Sequence, residues 1–293
     1  VYAVASRSLD TAKAFAKKHG YCKAYGSYEE MVNDKSLKLD VIYIATPVKY
    51  HSEHVKLCIE AGMNVLCEKP ITSTLEEFEE LTKIARKHNC FFMEGMWMKC
   101  LPSFQKACQW IKDGKIGDVE LVKVDFYKRE HIREDHAIYN ANDYGGILQD
   151  FGVYALAFME HFFDGYPEEL SSNSRISSHG IDADWQITAK KGDVRAFVNL
   201  SSNFGSLSKA AVIGKNGFVE WNSQFNRTNT VTLYDANGKQ VERFVCNYIY
   251  EGFEYEVNET QKCIRQGLKE SRIATLNGTY NVQKIIKSLK YAD

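Results

Sequence analysis

Two short stretches carry residue types that could do chemistry at their spacing. The first is Thr46-Pro47-x-x-x-His51, followed by Glu68-Lys69-Pro70. The second is Gly145-Gly146-x-x-x-Asp150-x-x-x-Tyr154. Asp150 and Tyr154 stand at i and i+4, so a helix puts them on one face. A lysine, a carboxylate and a phenol brought together can hold a hydroxyl-bearing substrate and move one proton. The glycine pair at the start of that helix allows close approach of another backbone or a ligand. His51 and His54 stand at i and i+3, but no third or fourth ligand follows at a metal-site spacing, so no metal is expected. His131, His136 and His161 fall into no pattern.

The elements that must position these residues can be read along the chain. Val1–Ser6 is an apolar strand, and Leu9–His19 reads as a helix with Ser8 as its cap and Gly20 past its end. Ser27-x-x-Glu30 has the form of a capping box before a short helix. Asp40–Ala45 is a buried strand that stops at Thr46-Pro47, and a helix follows over about 52–61. Asn64–Cys67 is the next strand. Ser73-x-x-Glu76 caps a helix whose Leu75, Phe78, Leu81 and Ile84 recur at helical spacing, and Phe91-Phe92-Met93 is a further strand. Strands alternating with helices imply a parallel sheet covered on both faces. Ligands of such sheets bind outside the carboxyl ends of the strands. Thr46-Pro47 and Glu68-Lys69-Pro70 lie at such ends, so Lys69 points into the expected crevice.

After about residue 100 the pattern changes. A helix over 103–113 precedes a long strand over 119–129, and a second helix runs over 146–163. From Ser172 to Val245 the chain alternates as strands do, with Asp235-Ala236-Asn237-Gly238 as a turn. Helices over 254–266 and 279–290 close it. The fold class is α/β, with a Rossmann-type parallel sheet over 1–98. An α+β substrate-binding and dimerisation domain with a large, mainly antiparallel sheet follows over 99–293.

Composition narrows the function classes. The chain has 293 residues, with 37 Lys+Arg against 38 Asp+Glu and a net charge of −1. That balance argues against a nucleic-acid partner. Hydrophobic residues make up 44% and charged residues 26%, the ordinary mixture of a globular protein. No apolar run approaches the roughly 18 residues of a membrane span, and no secretory signal is read. None of the 8 cysteines forms a C-x-x-C pair. They read as small buried thiols in a reducing cytoplasm.

Taken together, the two stretches resemble the glucose–fructose oxidoreductase / inositol dehydrogenase (Gfo/Idh/MocA) family, over essentially the whole chain in order and spacing. Tyr154, where many members have His, and Glu94-Gly95-Met96-Trp97 before Leu101-Pro102 resemble the dihydrodiol dehydrogenase / glucose–fructose oxidoreductase branch. The resemblance implies an oxidoreductase moving hydride between a nicotinamide and a carbinol carbon of a sugar or trans-diol. It places Lys69 beside the nicotinamide ribose and the substrate hydroxyl, after which Pro70 is often preceded by a cis bond. Thr46, Pro47, His51 and Glu68 are implied on the cofactor side. Tyr154 is implied as the proton donor or acceptor, and Asp150 as holding substrate or cofactor. Trp97 and Phe126 would be apolar walls for the substrate ring, though both are equally compatible with plain core. An ammonium near a phenol favours the phenolate, so Lys69 is expected to lower the pKa of Tyr154 and let it act as base.

The adenosine end is read at the end of the first strand. NAD enzymes place an acid there, whereas here Ser6 is followed by Arg7, which suits a 2′-phosphate. NADP is therefore favoured over NAD. Dihydrodiol dehydrogenases carry a second Arg at the position that Thr11 occupies. No G-x-G-x-x-G occurs in the chain. The family places it before Val1–Ser6, so the sequence is expected to lack one βα unit at its start and to bind cofactor poorly as it stands. Two other readings share the fold: a glycosidase using held NAD for transient oxidation, and a non-enzymatic binding or regulatory protein. A homodimer through the open face of the large sheet is expected.

Overall fold

Ser8 accepts a hydrogen bond from the Thr11 backbone N–H at 3.5 Å, and Gly20 ends the same helix at φ 72. The serine cap and the glycine stop therefore delimit α1 (Leu9–His19) where the sequence placed it. The protein is described here by a computed structural model that covers residues 2–128, 145–178, 180–205, 207–222 and 224–290. Around α1 lie β1 (Ala3–Ala5) and β2 (Lys23–Tyr25), paired in parallel. Then come α2 (Tyr28–Asn33), β3 (Ile42–Ile44), a short 3-10 turn, α3 (His51–Glu60), β4 (Val65–Glu68), α4 (Leu75–Lys87) and β5 (Phe92–Gly95). Strands β3, β4 and β5 form a second parallel sheet, in that order.

Two capping expectations need correction. Thr74, not Ser73, caps α4: its extended backbone lets its hydroxyl meet the Glu77 N–H at 3.3 Å while the Glu77 carboxylate returns to the Thr74 N–H at 3.2 Å. At α2, Ser27 accepts from the Glu30 N–H at 3.0 Å, but the Glu30 carboxylate reaches back to Gly26 instead of Ser27.

The rest of the chain adds α5 (Trp97–Cys100), α6 (Pro102–Lys112), β6 (Val119–Tyr127), α7 (Val153–Phe163), β7 (Glu169–Ile176), β8 (Asp182–Lys191) and β9 (Val194–Ser201). It ends with β10 (Ala210–Gly214), β11 (Gly217–Trp221), β12 (Thr230–Asp235), β13 (Gln240–Val245), α8 (Glu254–Arg265) and α9 (Leu276–Lys290). The last eight strands, β6 to β13, form one sheet in the order β13-β12-β11-β10-β6-β9-β8-β7, antiparallel except for the β6–β9 pair. Strand alternation sorts its two faces. Val122, Val124, Ala196, Val198, Trp185 and Ile187 are buried in one core with α7, whereas Phe197, Gln186 and Lys123 face the other way.

The helix read over 146–163 does not begin as an α-helix. Leu148–Gly152 is a π-helical turn, and α7 follows it directly. The last helix also crosses the expected boundary at residue 98. From α9, Thr279 donates to Glu94 at 3.0 Å, Gln283 donates to the Thr72 carbonyl at 3.3 Å, and Leu276 packs in the core of the parallel sheet. No helix among the described residues is long and apolar enough to cross a membrane.

Candidate active site

Lys69 leaves the carboxyl end of β4, and the Lys69–Pro70 bond is cis. Its ammonium donates to Asp150 Oδ1 and to the Asp150 carbonyl, both at 2.8 Å, and stands 5.0 Å from the centre of the Tyr154 ring. The three residues picked out from two distant stretches are thus brought together across the domain junction. The Lys69–Asp150 pair is only partly shielded, with side-chain exposures of 15% and 35%.

The second stretch owes its shape to a residue the sequence did not flag. Asp182 on β8 accepts from the Leu148 backbone N–H at 2.7 Å and from Trp185 Nε1 at 2.8 Å. A Cβ on Gly146, which sits at φ 111, would overlap the Asp182 carboxylate. The close approach that the glycine pair permits is therefore that of a carboxylate capping the π turn. That turn sets Asp150 beside Lys69 while α7 carries Tyr154, a widened helix start of the kind that gathers at functional sites.

Tyr154 is buried, and its hydroxyl accepts from Trp97 Nε1 at 2.8 Å. The anticipated lowering of its pKa is not what this arrangement gives. Burial raises it, the Trp97 N–H lowers it, and the carboxylates of Glu68, Glu256 and Asp150 raise it further, so the net shift is upward. The Lys69 charge is already met by Asp150. Tyr154 is held as a neutral phenol here, and among the described residues its hydroxyl accepts from Trp97 and donates to no acceptor.

Trp97 and Phe126 both reach this centre. Phe126 lies 6.4 Å from the Tyr154 ring and 5.5 Å from that of Phe151. Trp97 stacks on Phe253, with centroids 4.5 Å apart at 11°. Phe253 gave no sequence signal, nor did Lys128, whose ammonium stands 4.3 Å over the Phe151 ring. Burial lowers the Lys128 pKa, Asp150 opposes that, and Lys69 adds to it.

On the cofactor side the anticipated residues separate. Thr46 and Pro47 follow β3, and Thr46 Oγ1 lies 2.9 Å from His54 Nδ1. Glu68 accepts from Tyr43 and, at 3.1 Å, from the Lys69 backbone N–H. His51 lies deeper than its neighbours. It is 1% exposed, with Nδ1 2.9 Å from the Pro70 carbonyl and Nε2 2.6 Å from the Thr46 carbonyl. A neutral imidazole donates through only one of these nitrogens, and the buried ring lies between the Thr46 and Pro70 carbonyls. Ser6 and Arg7 follow β1, and the Arg7 side chain is exposed with no ion pair among the described residues. Free donors at Arg7 and strand ends at Thr46 and Lys69 fit a nicotinamide dinucleotide, whose phosphates need cations and whose ring lies at such ends.

Glu256, also unforeseen, lies behind this centre. It is 1% exposed, Oε2 has no hydrogen-bond partner among the described residues, and Gly95 leaves the room that it fills. Burial and the neighbouring Glu68 push its pKa up to about 8. The folded chain thus keeps a proton that the unfolded chain loses near its ordinary value of about 4.3. The stability this contributes is full below that value and is lost as pH rises towards about 8. Glu256→Gln should therefore raise the melting temperature more at roughly pH 8 than at roughly pH 5. Equal shifts at the two pH values would refute this assignment.

Comparison with known proteins agrees with the geometry. Residues 1–96 match the model of an oxidoreductase family with an NAD-binding Rossmann fold, Gfo/Idh/MocA, and residues 104–220 match the Gfo/Idh/MocA C-terminal domain. The trans-1,2-dihydrobenzene-1,2-diol dehydrogenase of Bos taurus is 32% identical over 100% of this chain and 88% of that protein. The Xenopus tropicalis protein of the same name is 30% identical over 98% of this chain and 87% of its own length. Among solved structures, levoglucosan dehydrogenase in complex with NADH and levoglucosan aligns at a TM-score of 0.88 and 16% identity, covering 99% of this chain and 86% of that one. A 3-ketoreductase from Actinomadura kijaniata in complex with NADP and TDP-benzene aligns at 0.82 and 21% identity, covering 98% and 88%.

Proposed function

The chain belongs to the Gfo/Idh/MocA oxidoreductase family, and from that premise we propose that it moves a hydride between NADP and the carbinol carbon of a sugar or a trans-dihydrodiol. The observation that carries this reading is the convergence of Lys69, Asp150 and Tyr154 at the carboxyl end of β4. A bound nicotinamide supplies or accepts the hydride. The chain's own residues do the rest. Lys69 and Asp150 orient the reacting hydroxyl, Tyr154 transfers its proton, and Trp97, Phe126 and Phe253 keep water from one side of it. The names of the relatives support both substrate classes, since some act on a dihydrodiol and another on levoglucosan. The test is the near-ultraviolet absorbance of reduced nicotinamide with aldoses and trans-dihydrodiols as substrates and each cofactor in turn. No substrate-dependent change with either cofactor, once fluorescence titration shows that cofactor bound, would refute the reading.

The choice of NADP rests on Ser6 and Arg7. Ser6→Asp is expected to shift preference towards NAD, because a carboxylate repels the 2′-phosphate and accepts from a free ribose diol. Arg7→Ala is expected to weaken NADP binding by roughly 1.5–3 kcal/mol, the scale of a hydrogen bond to a charged group. An unchanged ratio of kcat/KM for the two cofactors in Ser6→Asp would remove the assignment. The open face of the large sheet, where Phe197 is exposed, is assigned to a second copy of the chain. Sedimentation at micromolar concentration should show the dimer, and monomer alone would overturn it.

A further inference from the structure

Beside the Trp97 indole lies a cleft of about 480 Å³, lined by Trp97, Phe253, Gln224, Arg227, Asn229 and Glu251 among others. Its size falls in the ordinary range of small-ligand sites. Its aromatic wall is built rather than incidental. The Glu254 carboxylate accepts from the backbone N–H groups of Ile249 and Tyr250 at 3.1 Å and of Gly252 at 2.8 Å. Gly252, at φ 104, crosses the edge of the indole where a Cβ would come within 2.9 Å of it. That crossing lays Phe253 flat on Trp97 and leaves Phe253 44% exposed.

The polar lining has hydrogen-bonding capacity to spare. Arg227 donates through Nε to Gln224, but neither Arg227 nor Glu251 forms an ion pair among the described residues. Asn229 accepts from the Thr230 hydroxyl through Oδ1 at 2.9 Å, and among the described residues its amide N–H groups meet no acceptor. One guanidinium, one carboxylate and one amide beside an aromatic ring are a balanced set. An anionic ligand would meet Glu251, and a cationic one would meet Arg227. A neutral polyol is disfavoured by neither: its hydroxyls donate to the carboxylate and accept from the guanidinium and amide. The apolar C–H face of a pyranose covers the aromatic face.

We propose that this cleft is a second sugar subsite, holding the ring joined to the one that reacts at Tyr154, so that the preferred substrates are disaccharides or glycosides. This rests on the oxidoreductase reading above and deepens it. Trp97 is the shared wall: it lines the cleft and bonds to the Tyr154 hydroxyl.

The test titrates glucose, methyl glucoside, maltose, cellobiose and phenyl glucoside into the chain by calorimetry, and measures KM and kcat for the same set with cofactor. At least one two-ring ligand should bind roughly tenfold more tightly than the single-ring sugars, the scale of one or two added hydrogen bonds, with the gain in KM and not in kcat. Arg227→Ala and Glu251→Ala, both at exposed side chains, should each remove most of that gain and leave single-ring kinetics unchanged. No two-ring preference in the wild-type chain, or a preference that survives both substitutions, would overturn the proposal. Absence of turnover with every sugar, alongside turnover of a trans-dihydrodiol, would remove only the sugar branch of the oxidoreductase reading, and the calorimetric preference would still decide the subsite.

Discussion

Lys69→Met is expected to lower kcat by roughly 10²–10⁴-fold or more, the usual worth of a positioned group in proton transfer. Met keeps most of the stem and removes only the ammonium. The ammonium has two partners that matter to the chemistry, the Asp150 carboxylate at 2.8 Å and the face of Tyr154 at 5.0 Å. Without it, Asp150 keeps its charge with no cation to orient it, and a substrate hydroxyl loses the donor that would hold it against Tyr154. The loss should appear in single-turnover hydride transfer, which separates chemistry from product release. Melting temperature should change little, because Asp150 is partly open to water, which can take over its solvation. If kcat stayed within tenfold of wild type while the fold was intact, Lys69 would be a partner of Asp150 and nothing more.

The parts of this site that could be read in advance are those written in one contiguous run each. Lys69 follows a strand that stops at Cys67-Glu68, and Asp150 and Tyr154 sit at helical spacing after a glycine pair, so local pattern alone brings out their likeness to a family. The α1 cap was legible for the same reason, since Ser8 and Gly20 act within one turn of their own helix. What could not be read depends on contacts between remote segments. Asp182 arrives from β8 to cap the π turn, Phe253 arrives from the loop before α8, and Lys128 comes off the end of β6. A strand's alternation tells which face a residue is on, but not what it meets there. The burial of His51 was hidden for a related reason. A histidine after Thr-Pro at a strand end looks open to a cofactor, and only the folded turns show it buried with its ring nitrogens against the Thr46 and Pro70 carbonyls. The π turn has no composition of its own and was hidden inside a good helical pattern.

Tyr154→Phe should lower kcat by roughly 10²–10⁴-fold while cofactor affinity changes little, because it keeps the ring and removes only the group that moves the proton. The direction of the reaction decides how the loss depends on pH. Burial and the nearby carboxylates hold Tyr154 in its neutral form, which is the form that donates to a carbonyl oxygen when the substrate is reduced. Reduction by the wild type should therefore be insensitive to this group across neutral pH. Oxidation needs the phenolate, so its rate should climb with pH as the small deprotonated fraction grows. The positive charge of an oxidised nicotinamide would act to enlarge that fraction. In Tyr154→Phe the climb should vanish along with the rate. The variant also leaves Trp97 Nε1, which donates to Tyr154 at 2.8 Å, with no acceptor, so a stability loss of about 1–3 kcal/mol should accompany it. Trp97→Phe on its own supplies the control for that loss: it removes the buried donor but leaves the phenol, and should retain far more activity. If Tyr154→Phe kept near-normal turnover, or if oxidation kept its rise with pH, the proton would have to pass through Lys69 itself or through Asp150 by way of a water molecule.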